Sequence, residues 1–435
     1  MAAHVGQEST LSHWKFTSGK VPGVRPPFLR SSAGLLALAL LTACGGPPPS
    51  AGATPGPSSG ATPTSTPAAT PSPAATATPA RTPTPTPSGP ALASIASCTA
   101  AIPSGHNLVL ATLAGSTAVV VRDITNLSAP QTLCTFTGTV GPRFATSSVV
   151  GYNEPVTSSD SPGRIVRLDL ATSSARAAAT WPATSFGSGI FDWSPDGASL
   201  TYVGPGSPGT AWHLISGGTD RVIATLPAVP GRGVDRENDD FMIGFSPDGL
   251  YLAMVQTFAT GGTGESSPLQ VRRVSDGALV YSAGTGTMGV WASVPSRLFF
   301  RTSTGGVERW DPSTGVSRMQ ESLKWTQPHA SSDGRWITYT TYDSVGHPRV
   351  GLYSVQGNSI GSAPSGGLRS GALFLNNNLL WYQEEAACDC GLAGQSQTTG
   401  RTFIYDIAGG TETGSRLTGV FDAWPRVSAA PGLGG

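Results

Sequence analysis

The sequence predicts an all-β fold, a seven-bladed β-propeller of four-stranded antiparallel blades closed by a C-terminal strand. Three observations predict it. After residue 100 the chain consists of short β-branched and aromatic runs broken by Gly, Pro, Asp and Ser, without helical periodicity. A tight-turn motif recurs along this region. A strand that ends in a second kind of turn recurs seven times, at the spacing of propeller blades.

The recurring turn motif is Ser-Pro-Asp-Gly before an apolar run. It is complete at 194–197 and 246–249, and a variant stands at 331–334. Pro presets φ, Asp accepts bonds from nearby amides and Gly adopts positive φ, so each motif predicts a hairpin turn between antiparallel strands. The motifs begin 52 and 85 residues apart. The longer interval predicts a degenerate unit, which fits residues 290–296 before the strand at 298–300.

The second landmark predicts the number of blades. Asp123 and Asp406 are separated by 283 residues in six intervals, about 47 residues each, which is typical of a four-stranded blade. The seven strands end at Asp123, Asp169, Ser216, Ser275, Asp311, Val355 and Asp406.

The two ends of this region complement each other. The first unit begins near Asn107 with a second strand, so its opening strand is missing. Residues 420–426 resemble the strands that lead into Trp193 and Phe245. We therefore predict that residues 420–426 close the ring as the innermost strand of the first blade, which removes open sheet edges.

The N-terminal region has the layout of an export signal. Arg25 and Arg30 precede an apolar run at 33–43 that is too short to span a membrane, and Leu41-Thr42-Ala43-Cys44 follows. This order resembles the bacterial lipoprotein signal. The resemblance implies that residues 1–43 are removed and that Cys44 is lipidated. Translation from Val21 or Val24 would shorten the leader.

Residues 44–97 contain mostly Pro, Thr, Ala, Ser and Gly. Such a segment buries too little apolar surface to offset its ordering entropy, so we predict a disordered linker. In polyproline II form, at ~3.1 Å per residue, it would reach on the order of 150 Å. The propeller is then expected at 98–428 and a disordered tail at 429–435.

The turn motifs and their spacing resemble the TolB-type Ser-Pro-Asp-Gly β-propeller repeats, over roughly residues 105–428. The resemblance implies the fold. Such repeats occur in periplasmic scaffolding proteins, in lipoprotein propellers and in gating domains of prolyl oligopeptidase-like enzymes, so they do not imply one activity.

Charge and cysteine content restrict the function classes. The chain has 26 basic and 26 acidic residues, and 22 and 25 remain from Cys44 onward, so nothing in the charge favours a nucleic-acid partner. An even number of cysteines in an exported domain predicts disulfides. We prefer the pair Cys98 and Cys134, which leaves Cys388 and Cys390 to close a small ring or to remain a redox-active dithiol.

Candidate catalytic and metal residues are few. Gly-x-Ser-x-Gly at 357–361 matches a nucleophile elbow, but it lies between a predicted third and fourth strand rather than between a strand and a helix. The four histidines of the exported chain stand apart from Cys, Asp and Glu at metal-ligand spacings, so we predict structural or solvated histidines, no metal and no cofactor. They are His106, His213, His329 and His347.

Strand alternation separates two faces of the ring. The tight-turn face carries the connections between first and second and between third and fourth strands. The long-loop face carries the other connections, including the long segments 154–164, 227–240, 257–268 and 384–401. Loops on a rigid scaffold usually carry recognition, so we predict that a partner binds there. The candidate residues are Arg232, Asp235, Arg236, Glu237, Asp239 and Asp240, which alternatively form a self-neutralising loop.

The sequence thus favours a monomeric, lipid-anchored propeller on the extracytoplasmic face of a bacterial membrane that binds a protein or glycan without catalysis. One alternative is a propeller enzyme of the hydrolase, lyase or quinoprotein type, and another is an accessory subunit, each with its site on the long-loop face. Asp, Glu, His and Arg converging on one mouth of the channel would favour the enzyme.

Overall fold

The computed structural model of the protein describes residues 91–425, apart from short gaps. The gaps are 93–94, 100, 114, 155–161, 183–189, 207–208, 226–238, 259–264, 267, 285–286, 293–295, 303–305, 321–324, 357–358, 362–363, 365 and 389–395. This part of the chain is all-β, and within it no helix is long and apolar enough to cross a membrane.

Seven antiparallel blades form a β-propeller, as predicted. Blade 1 contains β2 (Ala96–Cys98), β3 (Leu108–Thr112), β4 (Val119–Asp123), β5 (Gln131–Phe136) and β31 (Thr418–Trp424). Blade 2 contains β1 (Ala91–Leu92), β6 (Val140–Thr146), β7 (Val149–Asn153), β8 (Gly163–Asp169) and β9 (Ser174–Trp181). Blade 3 contains β10 (Phe191–Trp193), β11 (Leu200–Gly206), β12 (Gly209–Ser216) and β13 (Thr219–Thr225).

The remaining blades follow the same order. Blade 4 contains β14 (Asp239–Phe245), β15 (Tyr251–Phe258), β16 (Glu265–Ser266), β17 (Leu269–Arg273) and β18 (Leu279–Ala283). Blade 5 contains β19 (Thr287–Ala292), β20 (Arg297–Arg301), β21 (Val307–Asp311) and β22 (Gly315–Gln320). Blade 6 contains β23 (Thr326–Ala330), β24 (Trp336–Tyr342), β25 (Pro348–Ser354) and β26 (Ser359–Gly361). Blade 7 contains β27 (Leu368–Phe374), β28 (Leu379–Ala387), β29 (Ser396–Asp406) and β30 (Thr411–Ser415).

The C-terminal strand closes the ring. β31 pairs antiparallel with β3, with Trp424 opposite Leu108 and Ala423 opposite Val109, and it becomes the innermost strand of blade 1. The predicted closure is confirmed. The degenerate unit is also present, because β19 and β20 form the inner half of blade 5.

The predicted boundary of the linker was wrong by several residues. Strand β1 and the first two residues of β2 lie inside the segment 44–97, and these strands pair with the outer strands β9 and β5. Leu92, Ile95 and Cys98 pack against the core between blades 1 and 2, so these residues do bury apolar surface. Strands of two and three residues leave too weak a pattern to be found in a Pro- and Ala-rich background.

Apolar side chains of adjacent blades form the core. Leu110 and Val121 of blade 1 pack with Phe144 and Val166 of blade 2, all of them buried. Each fully buried side chain of this size contributes about 1.5–3 kcal/mol. The packing is closest where small residues meet large ones: a Cβ on Gly151 would lie 2.2 Å from Nε1 of Trp193 in the next blade.

The Ser-Pro-Asp-Gly motifs form the predicted turns. In the first, the Gly197 amide donates to the Ser194 carbonyl at 2.8 Å, and Gly197 has a φ of 66°. Ser194 Oγ donates to Asp196 Oδ1 at 2.6 Å, so a hydrogen bond between side chains also stabilises the turn. Each motif joins the innermost strand of its blade to the second strand, so the motifs share the tight-turn face.

Candidate functional site

The innermost strands of blades 1, 2, 6 and 7 enclose a small cavity of about 70 Å³ on the propeller axis. This axial cavity has room for a few water molecules or one small chemical group. Its lining combines three polar side chains with small and apolar residues: Gly141, Pro142, Arg143, Gln327, Pro328, His329, Gly371, Ala372, Leu373 and Phe421.

Bulges in the innermost strands shape the cavity. The ladders of β6, β23 and β27 are interrupted beside Gly141, Gln327 and Gly371, which have φ values of 56°, 49° and 62°. A bulge bends its strand and re-aims the side chains that follow. Gln327 adopts the left-handed region without being glycine, a conformation that costs on the order of 1 kcal/mol or more and tends to occur at functional sites.

Arg143 lies between two acids from the neighbouring blades. Its Nη1 is 4.0 Å from Oδ1 of Asp192, and Asp192 Oδ2 accepts a bond from the Phe245 amide at 3.0 Å. On the other side, Asp422 Oδ2 accepts from the Phe144 amide at 2.8 Å. Burial raises the pKa of Asp422 to about 6 although Arg143 opposes the shift. Burial also lowers the pKa of Arg143.

His329 occupies a matching place in blade 6. Its Nδ1 accepts a bond from the Phe374 amide at 3.3 Å, and its ring stacks on that of Phe374 at 6.1 Å. Because Nδ1 is an acceptor, the neutral ring carries its hydrogen on Nε2. Burial, with a smaller effect of the Arg143 charge, lowers the pKa of His329 to about 3.

These three bonds follow one pattern. Asp192, His329 and Asp422 each lie on an innermost strand and accept the amide of a Phe on the innermost strand of the next blade. The bonds join blades 3 to 4, 6 to 7 and 1 to 2. The acids and the histidine therefore hold the ring together, and Arg143, Gln327 and His329 are the polar residues that line the axial cavity.

Two innermost strands at the cavity become more exposed toward the long-loop face. On β6, Val140 and Gly141 are exposed where the strand enters from that face, whereas Phe144 and Ala145 near the tight turn are buried. β23 shows the same gradient, with Gln327 exposed and the residues after it buried. Each innermost strand begins at the link from the preceding blade, so the cavity is most accessible from the long-loop face.

Most of the predicted binding residues, the predicted lipidation site and one predicted disulfide cysteine lie outside the described residues. This holds for Cys44, Arg232, Asp235, Arg236, Glu237 and Cys390. Asp239 and Asp240 begin β14, where their backbones pair with Phe258 and Thr257, and their side chains are likewise outside the described part.

The cysteines that are described form disulfides. Cys98 and Cys134, the preferred pair, are bonded and join β2 to the outer strand β5. Cys388 is disulfide-bonded as well.

The Gly-x-Ser-x-Gly segment leads into a fourth strand. Its Ser359 begins β26 and pairs with Ser354 of β25, as predicted, while Gly357 and Asn358 are outside the described residues. Across the described ranges, no group of three or more His, Cys, Asp or Glu residues is arranged to hold a metal ion.

Sequence reasoning missed the axial residues Arg143, Asp192, Gln327 and Asp422. One signal was available: Phe191-Asp192 and Phe421-Asp422 both stand three residues before a proline, at the ends of strands already recognised as similar. Nothing comparable marks Arg143 or Gln327, whose neighbours come from distant blades.

Comparison with solved structures finds proteins that this chain resembles at low sequence identity. TolB from Acinetobacter baumannii has a TM-score of 0.37 and 16% identity, over 59% of this chain and 62% of TolB. An oligogalacturonate lyase in complex with manganese has a TM-score of 0.47 and 12% identity, over 70% of this chain and 83% of the lyase chain. The β-propeller domain of the Trilobed protease from Pyrococcus furiosus has a TM-score of 0.44 and 12% identity, over 74% of this chain and 96% of the protease domain.

The chain is a seven-bladed β-propeller. Its likeness to these proteins concerns this fold, and the chain spans less than two thirds of the length of TolB. No protein-family model and no curated protein matches the sequence.

Proposed function

We propose that the protein is a lipid-anchored, extracytoplasmic β-propeller that binds a protein or glycan partner on its long-loop face without transforming it. The observation that carries the proposal is that the acids and the histidine at the axis are already engaged in hydrogen bonds between blades. Asp192, Asp422 and His329 accept inter-blade backbone bonds, so they serve the scaffold, and Gln327 is the exposed polar side chain at the cavity that a partner can reach.

The choice of face rests on topology and exposure. The axial cavity is most accessible where β6 and β23 begin, on the side of the inter-blade links. The long segments 154–164, 227–240, 257–268 and 384–401 connect strands on that same side. A partner docked there would contact the loops at its periphery and the polar cavity at its centre.

The proposed location rests on two features of the chain. The order Leu41-Thr42-Ala43-Cys44 resembles the lipoprotein signal, and the bond between Cys98 and Cys134 suits an oxidising compartment. We propose attachment through Cys44 to the extracytoplasmic face of a bacterial membrane.

One observation favours an enzyme as the second candidate. Asp192, Asp422, Arg143 and His329 do converge on the axis, and a carboxyl with a pKa of about 6 is suited to proton transfer near neutral pH. His329 is not, because its pKa is about 3 and its Nδ1 is engaged. Chemical change in a captured partner or ligand would support the enzyme.

The test is capture of the partner from native membranes. We would crosslink the tagged full-length protein in its own cell envelope and compare two sets of charge reversals. The first set changes the long-loop face at Arg232, Arg236, Asp239 and Asp240. The second, a control on the tight-turn face, is the single change Arg335→Glu in the turn of blade 6. We expect the first set to abolish the crosslinked species and the second to preserve it.

The opposite outcome contradicts the assignment of the face. If the species survives the first set and disappears in the second, the partner binds the tight turns. If the wild-type protein yields a chemically altered partner, the non-catalytic proposal is wrong and the enzyme takes its place.

A further inference from the structure

A second and larger cavity lies on the tight-turn face, between blades 3 and 4. This blade 3–4 groove has a volume of about 820 Å³, which is within the range of roughly 300–1,000 Å³ for small-molecule sites. Polar side chains predominate in its lining: Ser194, Pro195, Asp196, Ser199, Ser216, Thr219, Arg221, Asp248, Gly249, Leu250, Tyr251, Arg273, Val274 and Ser275.

The groove lies where the two complete Ser-Pro-Asp-Gly turns stand in adjacent blades. In the blade 4 turn, Asp248 Oδ1 accepts from Ser246 Oγ at 2.6 Å and from the Leu250 amide at 3.0 Å. The turn therefore uses one carboxylate oxygen. Among the described residues, the second oxygen, Oδ2, has no hydrogen-bond partner, so it is available to a ligand in the groove.

The variant turn of blade 6 shows how this oxygen is neutralised elsewhere. There Asp333 Oδ1 makes the equivalent bonds within the turn, but Oδ2 accepts from Nε of Arg335, the residue after the glycine. The corresponding residue in blade 4 is Leu250, which is 49% exposed. Replacement of an arginine by a leucine at this position leaves an acceptor beside an apolar surface.

The other walls of the groove supply donors and hydroxyls. Arg221 donates to the carbonyl of Val274, which ties the outer part of blade 3 to blade 4. Arg273 forms a half-exposed ion pair with Asp276 at 2.8 Å. Ser199 Oγ donates to Ser216 Oγ at 3.1 Å, and hydroxyls of this kind can both donate and accept.

Tyr251 provides an aromatic wall with a fixed orientation. Its ring packs edge-on against Trp310, with centroids 5.6 Å apart and planes at 85°. The ring is partly exposed and stands next to Leu250 in the groove. An aromatic ring held in this way offers flat apolar contact at little entropic cost.

We propose that the blade 3–4 groove binds a neutral oligosaccharide. Two Asp and two Arg line it, so the formal charges cancel and no net field selects an anion or a cation. Hydroxyls, a carboxylate oxygen and guanidinium groups match a ligand that presents many hydroxyls, and Tyr251 and Leu250 match the apolar face of a sugar ring. This site is separate from the long-loop face and goes beyond the proposed function.

The test measures sugar binding by the full-length protein in detergent. Titration calorimetry would use neutral hexasaccharides of glucose, mannose and galactose, a uronic acid hexasaccharide and a leucine-containing hexapeptide. Asp248→Asn keeps the Oδ1 acceptor of the turn but replaces the available oxygen. Leu250→Arg reproduces the turn of blade 6 and covers Asp248. Asp333→Asn, the same change in blade 6, is the matched control.

We expect at least one neutral hexasaccharide to bind the wild type. Loss of one charge-assisted bond should weaken that binding by ~10-fold in Asp248→Asn, Leu250→Arg should abolish it, and Asp333→Asn should leave it unchanged. Melting temperatures close to that of the wild type would show that the variants fold.

Three results would overturn the proposal: no neutral hexasaccharide binds at ~10 mM, binding persists in Leu250→Arg, or only the uronic acid or the peptide binds. The outcome is independent of the function proposed for the opposite face, because Leu250→Arg should not alter membrane crosslinking and the long-loop reversals should not alter sugar binding.

Discussion

Asp422 and His329 make the same kind of inter-blade bond, but their contributions to stability depend on pH in opposite directions. Burial raises the pKa of the carboxyl to about 6 and lowers that of the imidazole to about 3. In both cases the folded protein prefers the uncharged form. The turn acid Asp333 differs from Asp422, because its pKa lies below the usual value of 3.8. Burial acts to raise this pKa, but the hydrogen bonds from Ser331 and Arg335 outweigh burial.

The first prediction concerns Asp422→Asn. Because the folded pKa is raised, the stabilising contribution of Asp422 is complete below pH 3.8 and is lost as the pH rises through about 6. We expect the wild type to lose about 1–3 kcal/mol relative to Asp422→Asn over this window. Asn can still accept the Phe144 amide. Denaturant unfolding at pH 4, 5, 6 and 7 measures the difference, and parallel curves for the two proteins would refute it.

The second prediction concerns His329→Asn, whose Oδ1 can replace Nδ1 as the acceptor of the Phe374 amide. The folded pKa is lowered, so the contribution of His329 is present above pH 6.5 and is lost as the pH falls toward 3. We expect the wild type to lose about 2–4 kcal/mol relative to the variant between these values. Melting curves across this range provide the measurement. The same pH dependence in the wild type and in His329→Asn would contradict this assignment.

At the scale of elements, the C-terminal strand β31 is the part whose removal opens the ring. It buries Val420 and Ala423 and carries Asp422, which bonds to blade 2. We predict that a chain ending at Gly419 loses several kcal/mol of stability, because β3 becomes an unpaired edge and apolar surface is exposed. A chain ending at residue 428 is the control. Equal melting temperatures for the two would contradict closure by β31.

The disulfide between Cys98 and Cys134 fastens the short strand β2 to blade 1. It links residues 36 positions apart, and closing a loop of this length stabilises a protein by roughly 2–4 kcal/mol. We predict a loss of this size when both cysteines are replaced by Ala, measured by denaturant unfolding under oxidising conditions. A change below ~0.5 kcal/mol would show that β2 is held by packing alone.

At the scale of the whole molecule, the proposed lipid anchor at Cys44 would decide where the propeller works. We predict that Cys44 is diacylated and that residues 1–43 are absent from the mature protein. Intact mass of membrane-extracted protein measures both, and Cys44→Ala should move the protein to the soluble fraction. A mass that retains Met1–Ala43, or an unmodified Cys44, would refute the anchor.

Local pattern was sufficient to predict the blades, their number and their closure. Turns at 194–197 and 246–249 are defined by Pro, Asp and Gly within four residues, and the period of about 47 residues repeats along the chain. The pair Cys98 and Cys134 also lies within one blade. The turns, the period and the cysteine pair depend on residues that are close in sequence, so they can be predicted without a structure. Strands β1 and β2 could not be predicted in this way, because two or three residues are too short to show a pattern and their partners β9 and β5 lie far along the chain.

The candidate sites were decided by the tertiary structure. Arg143, Asp192, His329 and Asp422 come from four different blades, and the ring brings them to one axis. In the same way, the blade 3–4 groove exists because two similar turns, 52 residues apart in sequence, stand side by side. No local pattern encodes which side chains of distant blades meet. That juxtaposition, and the desolvation that raises the pKa of Asp422 and lowers that of His329, arises only when all seven blades close around the axis.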